Sequence, residues 1–179
     1  MPLLAELLAP EGRMARSVWL DFGQPQRGLV EQLQKLRARL LAACLTDESG
    51  LLVEDWCRVE SGLAKNFWSE PVDRILCWDL LNYMTPAELG RLSELMIRRA
   101  APGCRVHAMI HYSERDMPAA PAVYRLQDGL ELQFKASATD RIPAPRYSPK
   151  ALEKSMPGLR VERTLLLNNG MQEYLFSII

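Results

Sequence analysis

A net charge is missing from this sequence: 22 Lys and Arg face 22 Asp and Glu. No overall field recruits a polyanion, so nucleic acid is not expected as a partner. A cysteine framework is missing too, because Cys44, Cys57, Cys77 and Cys104 contain no C-x-x-C pair. That argues against a zinc knuckle or a redox dithiol. Cys44, Cys77 and Cys104 lie in or beside apolar runs and are expected as buried, reduced thiols. Long uncharged apolar stretches are absent, so no membrane span is expected. The apolar run near Leu3 has no basic leader before it, unlike a secretion signal, and a cytoplasmic address is expected. Histidine is scarce, with only His107 and His111. Their neighbours read as a strand, where four residues span roughly 13 Å, too far for one ion, and no metal is expected.

What is present is an alternation of short apolar runs and amphipathic segments. Its 179 residues suit one domain with one core. Leu3 to Leu8 has helical spacing and stops at Pro10 and Gly12. Ser17 to Gly23 reads as a buried strand that runs into a glycine turn, and helical spacing of Leu29, Leu33 and Leu36 predicts a helix from about 25 to 36. Arg39 to Leu45 reads as a second strand, ending at Asp47 and Glu48. The stretch from Leu51 to Pro71 has no clean period. Val72 to Asp79 predicts a third strand, and Thr85, Pro86 and Glu88 supply a capped helix start. That helix is expected to end at Ala101-Pro-Gly103, before a strand from Arg105 to Tyr112.

Strand, helix, strand, repeated, is the rhythm of parallel crossovers, and such sheets hold ligands at the carboxyl ends of their strands. Beyond Ser113 the pattern changes. Asp128-Gly129 between two alternating runs signals a hairpin inside a proline-rich segment, so about 113–147 is expected to be a lid or insertion in a single domain spanning 1–179. Ser148-Pro149 starts another helix. Leu159 to Leu167 and Met171 to Ile179 flank Asn168-Asn-Gly170, a strong antiparallel hairpin signal.

These pieces resemble the class I S-adenosylmethionine-dependent methyltransferases. Leu20-Asp-Phe-Gly23 looks like the start of that family's glycine-rich first motif. Cys77-Trp-Asp-Leu-Leu-Asn-Tyr-Met84 looks like its motif after the fourth strand, Ala101-Pro-Gly-Cys104 like the turn before the fifth, and Tyr147 to Val161 like the helix and glycine leading into the sixth. The resemblance implies an α/β, Rossmann-like fold: a mostly parallel sheet with helices on both faces and a C-terminal antiparallel hairpin. It implies S-adenosylmethionine as cofactor, with Asp21 and Gly23 beside its methionine part, Asp47 or Glu48 on the ribose hydroxyls and Asp79 at the same edge. The adenine side would fall within 51–71, with Glu54, Asp55 and Trp56 as candidates. One departure is plain. Gln24-Pro-Gln-Arg-Gly28 stands where further glycines belong, so the cofactor site is either kept in altered form or lost.

Each candidate has a structural alternative. Asp79 can serve the cofactor or cap the next helix. Trp78 reads as core, Tyr83 as core or pocket wall. His111 and Tyr112 are the candidates for a catalytic base or donor, against a structural histidine. Arg146 and Tyr147, with Tyr83 and Arg125, can bind a substrate or lie on a solvated surface. Three functions follow: methyl transfer to a small-molecule substrate; a non-catalytic protein whose cofactor site has closed and which binds a protein partner or a second copy of itself through the hairpin or a sheet edge; or binding of a different nucleotide or metabolite at the same edge.

Overall fold

The computed structural model describes residues 1–9, 16–24, 26–45, 70–127, 131–135 and 139–179. The first strands and helices follow the alternation read from the sequence: α1 (Pro2–Leu7), β1 (Val18–Asp21), α2 (Arg27–Lys35), β2 (Arg39–Ala42) and β3 (Val72–Trp78). A 3-10 turn (Leu80–Tyr83) leads to α3 (Pro86–Ile97), whose Thr85 and Glu88 form the expected capping box. β4 (Ala100–His111) follows, and α4 (Pro149–Ser155) precedes β9 (Leu159–Leu166) and β10 (Met171–Ile178).

Among the described residues, six strands make one sheet in the order β2-β1-β3-β4-β10-β9. β2, β1, β3 and β4 pair in parallel, while β10 runs antiparallel to both β4 and β9. The sheet is therefore mostly parallel with a C-terminal antiparallel pair, and Gly170 turns the hairpin at φ +79°. Alternation divides the core. Leu20, Ile75, Cys77, Ile110, Tyr174 and Phe176 face α3 and α4 on one side. Trp19, Leu76, Trp78, Met109 and Leu175 face α1 and α2 on the other.

Between β4 and α4 two ribbons form: β5 (Asp116–Pro118) pairs with β8 (Arg141–Pro143), and β6 (Val123–Leu126) pairs with β7 (Leu132–Lys135), each antiparallel.

Some local expectations need correction. The strand after α3 starts at Ala100, so the segment read as a turn before Arg105 is already extended; it joins β3 at Val72, then shifts register where Gly103 adopts φ +79°. Cys77 and Cys104 are buried, but Cys44 is exposed, because it lies past the end of β2. Cys57 lies outside the described residues. β9, read as an apolar strand, is mostly exposed after Leu159, as its place at the sheet edge allows. No helix among the described residues is long and apolar enough to cross a membrane.

Candidate functional site

Because β1, β3 and β4 run in parallel, their carboxyl ends share one edge of the sheet. Asp21 ends β1 there, fully buried. Its Oδ1 accepts from the Gly23 amide at 2.8 Å and from the Trp78 indole Nε1–H at 2.6 Å. Trp78 ends β3 with φ +50°, a left-handed conformation that costs a non-glycine residue roughly 1–2 kcal/mol. The β3–β4 register also slips between Leu76 and Trp78. Both features swing the indole across the glycine turn. A Cβ built on Gly23 would lie 2.5 Å from the Trp78 ring, so the room left by the missing side chain is taken by the indole.

A second layer closes over the first. The segment 120–126, which includes β6, crosses the edge as a strap. Tyr124 stacks on Trp78 with ring centroids 5.2 Å apart and planes 11° from parallel. The Ala122 amide donates to Asp79 Oδ2 at 3.0 Å, the Leu126 amide to Gln26 Oε1 at 2.6 Å, and the Tyr83 hydroxyl to the Ala120 carbonyl at 2.9 Å. The strap passes so close to α2 that a Cβ on Gly28 would fall 1.8 Å from the Leu126 carbonyl oxygen. Gly28 is thus a packing glycine for the strap.

The electrostatics of this edge are incomplete. Asp21 Oδ2, Asp79 Oδ1 and Gln26 Nε2 are buried without a hydrogen-bond partner among the described residues. Burial pushes the Asp21 carboxyl up to about 6, offset in part by its bonds from Trp78 and Gly23. Burial likewise pushes Asp79 up to about 7, offset in part by the Ala122 amide and the Tyr124 phenol.

Asp21, Gly23, Asp79 and Tyr83 therefore meet at this edge, but each is engaged by the protein itself. Asp47 and Glu48 lie outside the described residues, as do Glu54, Asp55 and Trp56. His111 is half-buried, its amide bonded to Asn82 Oδ1 at 2.9 Å and its ring held below the usual histidine range by burial. Tyr112 is exposed, and its carbonyl accepts from Arg146 Nε at 3.0 Å. Tyr147 donates to the Met84 carbonyl at 2.7 Å. The last three tie chain segments together without converging on the edge. Sequence reasoning missed Gln26, Gly28, Asn82, Ala122 and Tyr124 as parts of the site. Asn82 fastens β3 to β4 by donating to the Asp79 and Met109 carbonyls at 2.7 and 2.9 Å. No cluster of three His, Cys, Asp or Glu suited to a metal occurs among the described residues.

No protein-family model and no curated protein matches the chain. Solved structures do. An S-adenosylmethionine-dependent methyltransferase from Clostridium acetobutylicum superposes with a TM-score of 0.58 at 13% identity, over 98% of this chain and 89% of that one. A Burkholderia thailandensis 1,6-didemethyltoxoflavin-N1-methyltransferase, solved with 1,6-didemethyltoxoflavin and S-adenosylhomocysteine, gives 0.54 at 13% identity, over 99% and 75% of the two chains. A glycopeptide N-methyltransferase complexed with S-adenosylhomocysteine gives 0.55 at 13%, over 99% and 88%. This chain has the class I methyltransferase fold.

In a methyltransferase fold the adenosyl cofactor would rest on the β1 turn and the end of β3. The described residues at this edge do not fit it there. The cavity bounded by Gly23, Gln26, Trp78, Asp79 and Tyr124 measures about 20 Å³, room for about one water, whereas small-molecule sites run to roughly 300–1,000 Å³. Larger spaces lie outside the strap. A polar groove of about 490 Å³ runs between α2 and β6, past Arg27, Gln32, Lys35 and Arg125. An apolar cleft of about 230 Å³ lies among Met109, Leu132, Phe134 and Leu167.

Proposed function

We propose that this protein is a non-catalytic bearer of the methyltransferase fold that has closed its adenosyl space with its own side chains and acts as a binding or assembly partner. One observation carries the reading: the Trp78 indole fills the volume over Gly23 and takes the hydrogen bond of Asp21. A cofactor would have to displace that indole, break its bond to a buried carboxyl and unstack Tyr124. Among the described residues, surfaces open to a partner include the β9 edge and the two spaces flanking the strap.

The test is a titration with S-adenosylmethionine and S-adenosylhomocysteine, by calorimetry and thermal shift. A ligand at 100 times its Kd stabilises by about 2.7 kcal/mol. The expected result is no saturable heat and no shift at about millimolar ligand; saturable binding would overturn the proposal.

The buried, unpartnered Asp21 Oδ2, Asp79 Oδ1 and Gln26 Nε2 favour a second reading, a methyltransferase acting on a small molecule whose closed form is not its binding form. Methyl transfer draws much of its rate from alignment, so few obligatory side chains need be present. Trp78→Gly separates the two readings: adenosyl binding that appears in this variant and not in the wild type assigns the closure to the indole.

A further inference from the structure

We propose that the strap is a proton-operated latch, closed over the sheet edge while the Asp79 carboxyl beneath it is neutral and released when that carboxyl ionises. This rests on the reading above that the strap and Trp78 together close the adenosyl space, and it adds what governs the closure.

The strap is fastened through Asp79 itself. Oδ2 accepts the Ala122 amide, the Tyr124 phenol lies against the same carboxyl, and Oδ1 is buried without a hydrogen-bond partner among the described residues. A neutral carboxyl tolerates such a place. A carboxylate with one bare oxygen does not, because ionisation multiplies the cost of burial. No cation among the described residues forms a hydrogen bond or ion pair with Asp79. Detaching 120–126 would bring water to both oxygens, so ionisation drives the segment off.

The other described groups at this edge do not compete. Tyr83 faces Asp79 from the 3-10 turn and Tyr124 from the strap, while Cys77 of β3 lies near Asp21. Burial pushes all three far above neutral, so they stay uncharged. Gln26, at the start of α2, carries no charge. Asp21 titrates too, yet its bonds go to Gly23 and Trp78, so its ionisation loads the indole before the strap. With the Asp79 carboxyl raised to about 7 in the closed form, release is centred near neutral pH. Below that value, down to the ordinary aspartate range of the open form, one ionising group raises the open-to-closed ratio by up to about tenfold per pH unit, and above it the ratio levels off.

Hydrogen exchange read by mass spectrometry tests the latch, since the Ala122 and Leu126 amides both bond across the strap boundary. Corrected for intrinsic exchange, their protection should fall about tenfold or more between about pH 6 and about pH 8.5 in the wild type. Asp79→Asn keeps an acceptor for Ala122 and cannot ionise, so its profile should be flat. Asp21→Asn should keep the fall. A wild-type profile level within about twofold overturns the latch without recourse to any variant; so does an unchanged fall in Asp79→Asn. Adenosyl titrations at both pH limits keep the two proposals apart. Binding seen only at the alkaline limit leaves the latch standing and removes the non-catalytic reading. A flat profile with no binding does the reverse.

Discussion

Two buried carboxyl sites on the same sheet are built in opposite ways. Glu173, on β10, has both oxygens engaged: Oε2 accepts the Leu3 amide at 3.1 Å, and Oε1 accepts the Leu4 amide at 2.7 Å and His107 Nε2 at 2.9 Å. It lies at the first turn of α1, where amides lack helical partners and negative charge is favoured. Burial pushes its carboxyl up, but the bonds from His107 and the two amides outweigh burial and hold it below the usual glutamate range. Asp21 and Asp79 each keep one buried oxygen without a partner among the described residues, and burial raises both. One site is a rivet that holds α1 to the sheet. The other is a closure held at a cost.

The largest expected effect falls on the rivet. Glu173→Ala leaves His107 and two buried amides without an acceptor, and should cost about 3–5 kcal/mol of unfolding free energy by urea denaturation near neutral pH. A loss under about 1 kcal/mol would show that α1 does not depend on this carboxylate.

Next comes the indole. Trp78→Ala removes a buried ring and should cost about 3–5 kcal/mol. Trp78→Gly should cost about 1 kcal/mol less, although glycine normally loses to alanine in a strand, because glycine relieves the +50° φ. An alanine variant more stable than the glycine variant would show that the backbone at this position relaxes once the ring is gone.

The pH dependence of the two sites should have opposite sign. Asp79 is raised when folded, so its contribution is full below its unfolded value of 3.8 and is lost as pH rises through about 7. Asp79→Asn should therefore nearly match the wild type at about pH 4 and exceed it by up to about 4 kcal/mol at about pH 8. Glu173 is lowered when folded, so its contribution is present above its unfolded value of 4.5 and is lost as pH falls through its folded value. Glu173→Gln should lose its disadvantage only in acid. Parallel pH curves for the two variants would erase the distinction between rivet and closure.

What could be read in the sequence follows the range of the forces involved. The parallel rhythm, the capped start of α3 and the Asn168-Asn-Gly170 hairpin are local signals, and the sheet reproduces them. Asp21, Gly23 and Asp79 were placed at one edge because parallel strands bring their ends together. Their partners were not legible. Leu126 reaches Gln26 across 100 residues, and no local pattern announces that pairing. Trp78 read as core because an aromatic beside an apolar strand usually is. Its true direction depends on a left-handed φ, which favours glycine and gives no sign of itself at a tryptophan, and on a register slip.

Gly28 shows how the same residue type misleads. In a glycine-rich loop it suggests room for a ligand, and inside a helix it suggests a weakness that alanine would repair by about 1 kcal/mol. Here it is the point where strap and helix touch, with the Leu126 carbonyl 1.8 Å from where a Cβ would stand. Gly28→Ala should therefore destabilise, by about 1 kcal/mol net, because the strap must lift from α2 to admit the methyl group. The same variant should lower the exchange protection of Leu126 while leaving the amides of Leu3 and Leu4, at the rivet, unchanged. A gain in stability with Leu126 still protected would mean that α2 gives way instead of the strap. The close approach would then be slack in the helix and not a seal.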